Sequence, residues 1–267
     1  FEGKRLSDVS EDELNELRAE RAQQALERAP QLGGAPGVHN PVHWFENFDA
    51  QNSRAWLVVD PQDGRIPPMT PEGQRRAAVA AARPNVYNTG SDSYEERGLY
   101  DRCITRGIPG SMMPAIYGNA YQIHQGPGWV AIRYEMIHEA RVIPLDNRAH
   151  VSPRLREYMG DARGHFEGDT LVVETTNFRN ESAYRGANGE TLRLVERFKP
   201  VGPDVLEWSV TVNDPSTWTR PWTFAMNLSK KDDSQQPFEY ACHEGNYGLA
   251  NILSAARADE AKSKSAK

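Results

Sequence analysis

Between Val205 and Val212 the chain reads VLEWSVTV, and between Pro221 and Leu228 it reads PWTFAMNL. In the first stretch Leu206, Trp208, Val210 and Val212 alternate with Glu207, Ser209 and Thr211. In the second, Trp222, Phe224, Met226 and Leu228 alternate with Thr223, Ala225 and Asn227. A strict period of two puts one apolar and one wetter face on each segment, the mark of antiparallel strands packed on one side. The pattern predicts that Leu206, Trp208, Val210, Trp222, Phe224 and Met226 face a core.

Working outward from this pair, the same texture recurs. YQIHQ and WVAIRYE flank a Gly-Pro-Gly turn, and ARVIPLD follows. GHFEGDTLVVET reads as a hairpin turning on Gly168 and Asp169, and TLRLVERFKP leads through VGPD into the strand at 205. PWTFAMNLS leads on to FEYAC. Six to eight such strands at hairpin spacing predict a mainly antiparallel α+β fold, a barrel or a sandwich of calycin-like kind. Helices are expected outside it. Ser10 and Glu13 form a capping box for a helix near 11–29. Thr70 and Pro71 supply N-cap and first position for another near 71–82. A third is expected near 249–260. The reading divides the chain into a helical and extended arm, 1–120, with a loop carrying Cys103, a β domain, 121–260, forming one structural unit with the arm, and a polar tail, 261–267.

The 267 residues carry a net charge of −6, with 38% hydrophobic and 25% charged side chains. No basic footprint for nucleic acid exists, and no run of 18 apolar residues suggests a membrane span. The chain starts at Phe1 rather than Met, which reads as a processed mature form or a truncated one. Its two cysteines, Cys103 and Cys242, are either two buried thiols or one bridge. An even count in a chain that looks exported makes the bridge the expectation, with loop closure contributing about 4–5 kcal/mol in the chain-entropy picture.

Six blocks occur in order: DRCITRGIPG, EMIHEARVIPLDNRAH, YMGDARGHFEGDTLVVETTNF, VERF, DPSTWTRPWT and YACHEGNYGL. Over about residues 54–257 the chain resembles a large family of exported bacterial proteins with no assigned activity. The resemblance implies export and a single β-rich domain, and names no reaction.

Candidate chemistry concentrates in two places. Counted by twos through WVAIRYEMIHEARVI, Val130, Ile132, Tyr134, Met136 and His138 share one face. Arg133, Glu135, Glu139 and Arg141 share the other, unless a turn at MIHE breaks the alternation. That charged stripe is either a solvated ion-pair ladder or the lining of a polar pocket. In CHEGNY, a bridged Cys242 would hold His243 and Glu244 beside Arg102 and Arg106 of DRCITR, or the motif is local structure with Gly245 turning the chain and Asn246 capping it. The site expected from these patterns has His243 as the proton-transfer group, with Glu135 or Glu244 as its partner. Arg102 and Arg141 would stabilise negative charge, and His138, Asn246 and Tyr247 would contact a ligand. Trp218 and Trp222 flank Arg220 in TWTRPW and would stack on a ring ligand, on the arginine, or only on the core edge.

The seven histidines show no metal-binding spacing, and no phosphate loop or nucleophile elbow is present. No metal and no cofactor are expected. The function suggested is an exported, periplasmic or secreted lyase, hydrolase or isomerase acting on a small molecule through acid/base residues in a polar pocket. The alternative is a non-catalytic exported protein, either a ligand-binding protein or an accessory subunit of a membrane-associated complex.

Overall fold

The computed structural model describes residues 8–28, 57–82, 91–115, 118–231, 237 and 239–265. The histidines at 39 and 43, the segment 43–48 and residue 238 of FEYAC lie outside them. Element order is α1 (Glu11–Arg28), β1 (Val58–Asp60), α2 (Pro71–Ala81), β2 (Tyr121–Gly126), β3 (Trp129–Tyr134), β4 (Ala140–Pro144) and β5 (Asp161–Glu167). Then come β6 (Thr170–Thr176), β7 (Arg193–Gly202), β8 (Val205–Asn213), β9 (Trp222–Ser229) and α3 (Tyr247–Ser265).

The strands form two sheets, and every ladder is antiparallel. One has six strands in the order β1-β9-β8-β7-β6-β5, the other three in the order β2-β3-β4. Among the described residues no ladder closes either sheet into a ring, so the architecture is two open layers and not a closed calycin-like barrel. Val130, Ile132, Tyr134 and Ile143 of the small sheet share one core with Val173, Leu194, Phe198, Trp208, Val210, Phe224 and others of the large one. The layers approach closely at Gly164, where a Cβ would meet side-chain atoms of Ile143 and Leu145 at 2.7 and 2.9 Å.

The period-two reading of β8 and β9 holds. Trp208, Val210, Val212, Trp222 and Phe224 are buried, with Leu206 and Met226 half-buried against the same core. Trp208 stands opposite Met226 and Val210 opposite Phe224, so apolar side chains face each other across the ladder. Packing between aromatic rings extends this core: Trp208 meets Phe224 edge-on at 5.6 Å, and Phe224 tilts against Trp222 at 6.0 Å. Residues 239–242 form no strand.

The N-terminal part is tied into this frame. β1 adds to the large sheet beside β9. α2 begins as its sequence dictates: the Thr70 hydroxyl accepts the Gly73 amide at 3.0 Å and donates to the Ser216 carbonyl at 2.6 Å. Gly73 is buried because the helix lies against the 214–219 loop, where a Cβ would fall 2.5 Å from the Thr217 carbonyl oxygen. That loop is organised by buried Asp214, which accepts from the hydroxyls of Thr191, Ser216 and Thr217 and from the Asn188 amide. Burial alone would raise the Asp214 pKa; these donors overcome it and hold the carboxyl below its ordinary range. α1 carries the expected capping box, with the Ser10 amide donating to Glu13 at 3.0 Å and the Glu13 amide to Ser10 Oγ at 3.3 Å. None of its described residues is buried. α3 runs to Ser265, beyond the expected end near 260, and it too has no buried residue.

Candidate functional site

The disulfide expected from the cysteine count is present, joining Cys103 to Cys242 with Cα atoms 5.8 Å apart. Around it the structure separates the groups that sequence placed together. Asn246 acts as the cap of α3, accepting the Leu249 amide at 3.2 Å and donating to the Asp101 carbonyl at 2.8 Å. His243, Glu244 and Tyr247 are exposed. Arg102 lies over the Tyr94 ring at 5.2 Å, and among the described residues no ion pair joins Glu244 to Arg102 or Arg106.

The β3–β4 hairpin explains why the charged stripe does not exist as one face. The strand stops at Tyr134, and a tight turn at Met136–His138 carries Ile137 into the left-handed region at φ 61°. The alternation restarts shifted, so Arg141 pairs opposite Ile132 and shares the core face with it. Arg141 is only 6% exposed. Its two terminal nitrogens donate to the two oxygens of Glu196, itself 0% exposed, at 2.5 and 2.8 Å, and Trp208 Nε1 donates to the same carboxylate at 3.1 Å. Burial alone would lower the Arg141 pKa, but Glu196 overrides it and the net shift is upward. Tyr134 sits beside this guanidinium, and burial pushes its phenol well above the ordinary range. Arg141 is therefore a core residue closed off by Glu196 and does not line a pocket with exposed His243.

Glu135 clamps the chain on the other side of the turn, its amide donating to the Ala120 carbonyl and its carboxylate accepting the Ala120 amide at 3.1 Å. The side chain of His138 lies outside the described residues. Glu139, which sequence did not single out as an acid, faces the DRCITRGIPGS segment. It accepts from Ser111 Oγ at 3.2 Å and the Arg106 amide at 3.3 Å. Burial raises its pKa, and the donors Thr105, Arg106 and Ser111 offset that only in part.

Both tryptophans are core residues, Trp218 at 3% and Trp222 at 2% exposure. Trp218 packs edge-on against Trp222 at 5.6 Å, so the indoles meet each other, while Arg220 turns away to Asp60 at 2.9 Å. Trp218 also forms the floor of an open hollow of about 390 Å³ lined by Ile66, Pro67, Met69 and Arg185. Its walls are held by backbone: Met69 bridges Trp218, and the Thr219 amide donates to the Pro68 carbonyl at 3.0 Å. The hollow is open to solvent, with four apolar lining residues and one charged group among the described residues.

No family model, curated protein or solved structure matches the chain.

The hollow is therefore assigned on geometry alone. Of its residues, only Trp218 was legible beforehand, from the aromatic spacing in TWTRPW. Ile66, Pro67 and Met69 read as a Pro-rich connector, and nothing in SAYRGANG marks Arg185 as facing them. A second cluster also went unmarked: His150 Nδ1 lies 2.7 Å from Asp161, which accepts the Val151 amide and an Arg163 nitrogen as well. The His150 Nε2 is 3.5 Å from Glu174, which Arg193 also pairs. His150 lies in the loop before β5 and meets carboxylates of β5 and β6 eleven and twenty-four residues further on, where spacing gives no signal. These groups form a chain in which both imidazole nitrogens face carboxylates that arginines already pair.

Proposed function

We propose that the protein binds a small organic molecule in an oxidising, exported setting, and that the Trp218 hollow is its binding site. The observation that carries this is the hollow itself: an apolar floor and walls fixed by sheet, bridge and helix cap, with a single cation at the rim. The disulfide supports the compartment, since such bridges persist where the surroundings are oxidising. The six blocks resembling exported bacterial proteins support it too. Among the described residues no helix is long and apolar enough to cross a membrane.

Titration calorimetry with one- and two-ring aromatic compounds tests the reading. Saturable 1:1 binding is expected, and Ile66→Trp, which fills the hollow, should abolish it while the thermal transition stays cooperative. Absence of binding by every compound, or binding that survives Ile66→Trp unchanged, would remove the reading.

Acid/base catalysis has one observation in its favour, Glu139. A carboxyl whose pKa is raised by burial, beside a hydroxyl and an arginine, is the kind of group that serves as a proton donor. On this second reading Glu139, and not Glu135 or Glu244, carries the proton. Screening ester and lactone hydrolysis would decide it: turnover lost in a folded Glu139→Gln variant favours the enzyme, and turnover equal in both forms excludes Glu139.

A further inference from the structure

The binding reading leaves open what kind of molecule the hollow selects, and this inference rests on that reading. Arg185 is exposed at its rim. Among the described residues no carboxylate pairs with it; the guanidinium bonds the hydroxyl of Tyr184, whose pKa is raised by burial and lowered in part by that charge. Some arginines have carboxylate partners, as Arg141 has Glu196, Arg193 has Glu174 and Arg220 has Asp60, whereas Arg133, like Arg185, pairs with no carboxylate among the described residues and donates to Gln122. Arg185 also holds a left-handed backbone at φ 53°, followed by Gly186 at φ 74°. A side chain other than Gly, Asn or Asp rarely adopts that region, and doing so costs on the order of 1–2 kcal/mol. The segment is braced from below, because the Tyr184 ring stacks on Trp222 at 6.3 Å and packs against Phe224 at 6.0 Å. Such bracing holds the backbone from which the exposed guanidinium reaches over the apolar floor.

We infer that the hollow takes a flat apolar ligand bearing a single carboxylate, its ring against Met69 and Ile66 above the buried Trp218 and its carboxylate on Arg185. The guanidinium offers a planar fork that matches a carboxylate in two parallel hydrogen bonds. A cationic ligand meets repulsion at Arg185, the only charged lining residue among the described ones. A polyanion would find one counter-charge in a chain of net charge −6. A sugar would leave most of its hydroxyls facing Ile66, Pro67 and Met69 without partners. With about 390 Å³ available, and ~30 Å³ for each water in the liquid, the hollow displaces on the order of a dozen waters, the bulk of a one- or two-ring molecule.

Three probes of one shape separate the possibilities: 2-naphthoate, the neutral 2-naphthamide and the cationic 2-naphthylmethylammonium. Each is titrated by calorimetry at neutral pH into the wild type and into Arg185→Gln and Arg185→Lys, whose folding is checked by thermal melting. Naphthoate should bind roughly tenfold or more tightly than the amide, the size expected of a hydrogen bond to a charged group, with the ammonium weakest. The gap should vanish in Arg185→Gln and return in part in Arg185→Lys. Equal affinity for the three probes, or a gap that survives Arg185→Gln, would overturn the ligand class while leaving the binding reading intact. Failure of all three to bind would overturn the binding reading, and the ligand class with it.

Discussion

The two-layer core and the C-terminal helix are held by different physics. In the core, large apolar side chains are removed from water on both sheets, and one ion pair is enclosed among them: Arg141 with Glu196, capped by Trp208. α3 has no buried residue. It is attached by the Cys103–Cys242 bridge, by Asn246 on the Asp101 carbonyl, and by Arg257 on the carbonyls of Asp92 and Ser91 at 2.7 and 3.1 Å. Burial is cooperative, because each core residue supports its neighbours. A tether is local, because cutting it frees what it holds and leaves the rest. The comparison teaches that damage to the core should unfold the whole protein, while damage to the tether should show first in α3.

The largest effect is expected at Glu196. Glu196→Ala leaves the Arg141 charge buried without its partner, which costs about 3–5 kcal/mol in urea melts. Replacing both residues with apolar ones, Arg141→Met with Glu196→Leu, should recover most of that loss. If the double variant is as unstable as the single one, the pair does more than neutralise itself and the contrast drawn for the core is wrong. Next comes the bridge. Cys103→Ser with Cys242→Ser should lower global stability by about 2–4 kcal/mol, since it opens a loop spanning 139 residues in the unfolded chain.

Smaller effects sharpen the boundary between the two regimes. Thr70→Ala removes the N-cap of α2 and its bond to the Ser216 carbonyl, and should cost about 1 kcal/mol by chemical denaturation. Glu139→Gln should change stability by no more than about 1 kcal/mol, in a direction set by pH. The folded state raises the Glu139 pKa, so it favours the protonated carboxyl. That contribution is complete below the unfolded pKa of about 4.3 and is lost as pH rises through the folded value. The variant should therefore gain on the wild type as pH rises from 4 toward neutrality. A gap constant across that range would show that Glu139 does not titrate differently on folding.

How much of this was legible in sequence follows from what each pattern encodes. Trp208, Val210 and Phe224 were placed correctly because strand alternation is a local property repeated over eight residues. The caps at Ser10 and Thr70 were legible for the same reason. Arg141 was misplaced because a single left-handed residue, Ile137, shifts the register between two strands, and period-two counting carries straight through such a turn. The bridge between Cys103 and Cys242 needed only a count of two. Arg185 and Ile66 were not legible, since no local pattern records which loops meet across 119 residues. Glu139 read as one charge of a stripe that was either solvated or pocket-lining; its burial comes from Ser111 and Arg106, which approach from a segment without periodicity.

Amide hydrogen exchange, followed by mass spectrometry with and without reductant under native conditions, tests the central contrast most directly. On reduction of Cys103–Cys242, amides in 247–265 should lose nearly all protection, while those of β7, β8 and β9, at 193–229, should lose no more than the fall in global stability and stay strongly protected. Retained protection of α3 after reduction, or an equal and complete loss in α3 and the sheet together, would contradict the account.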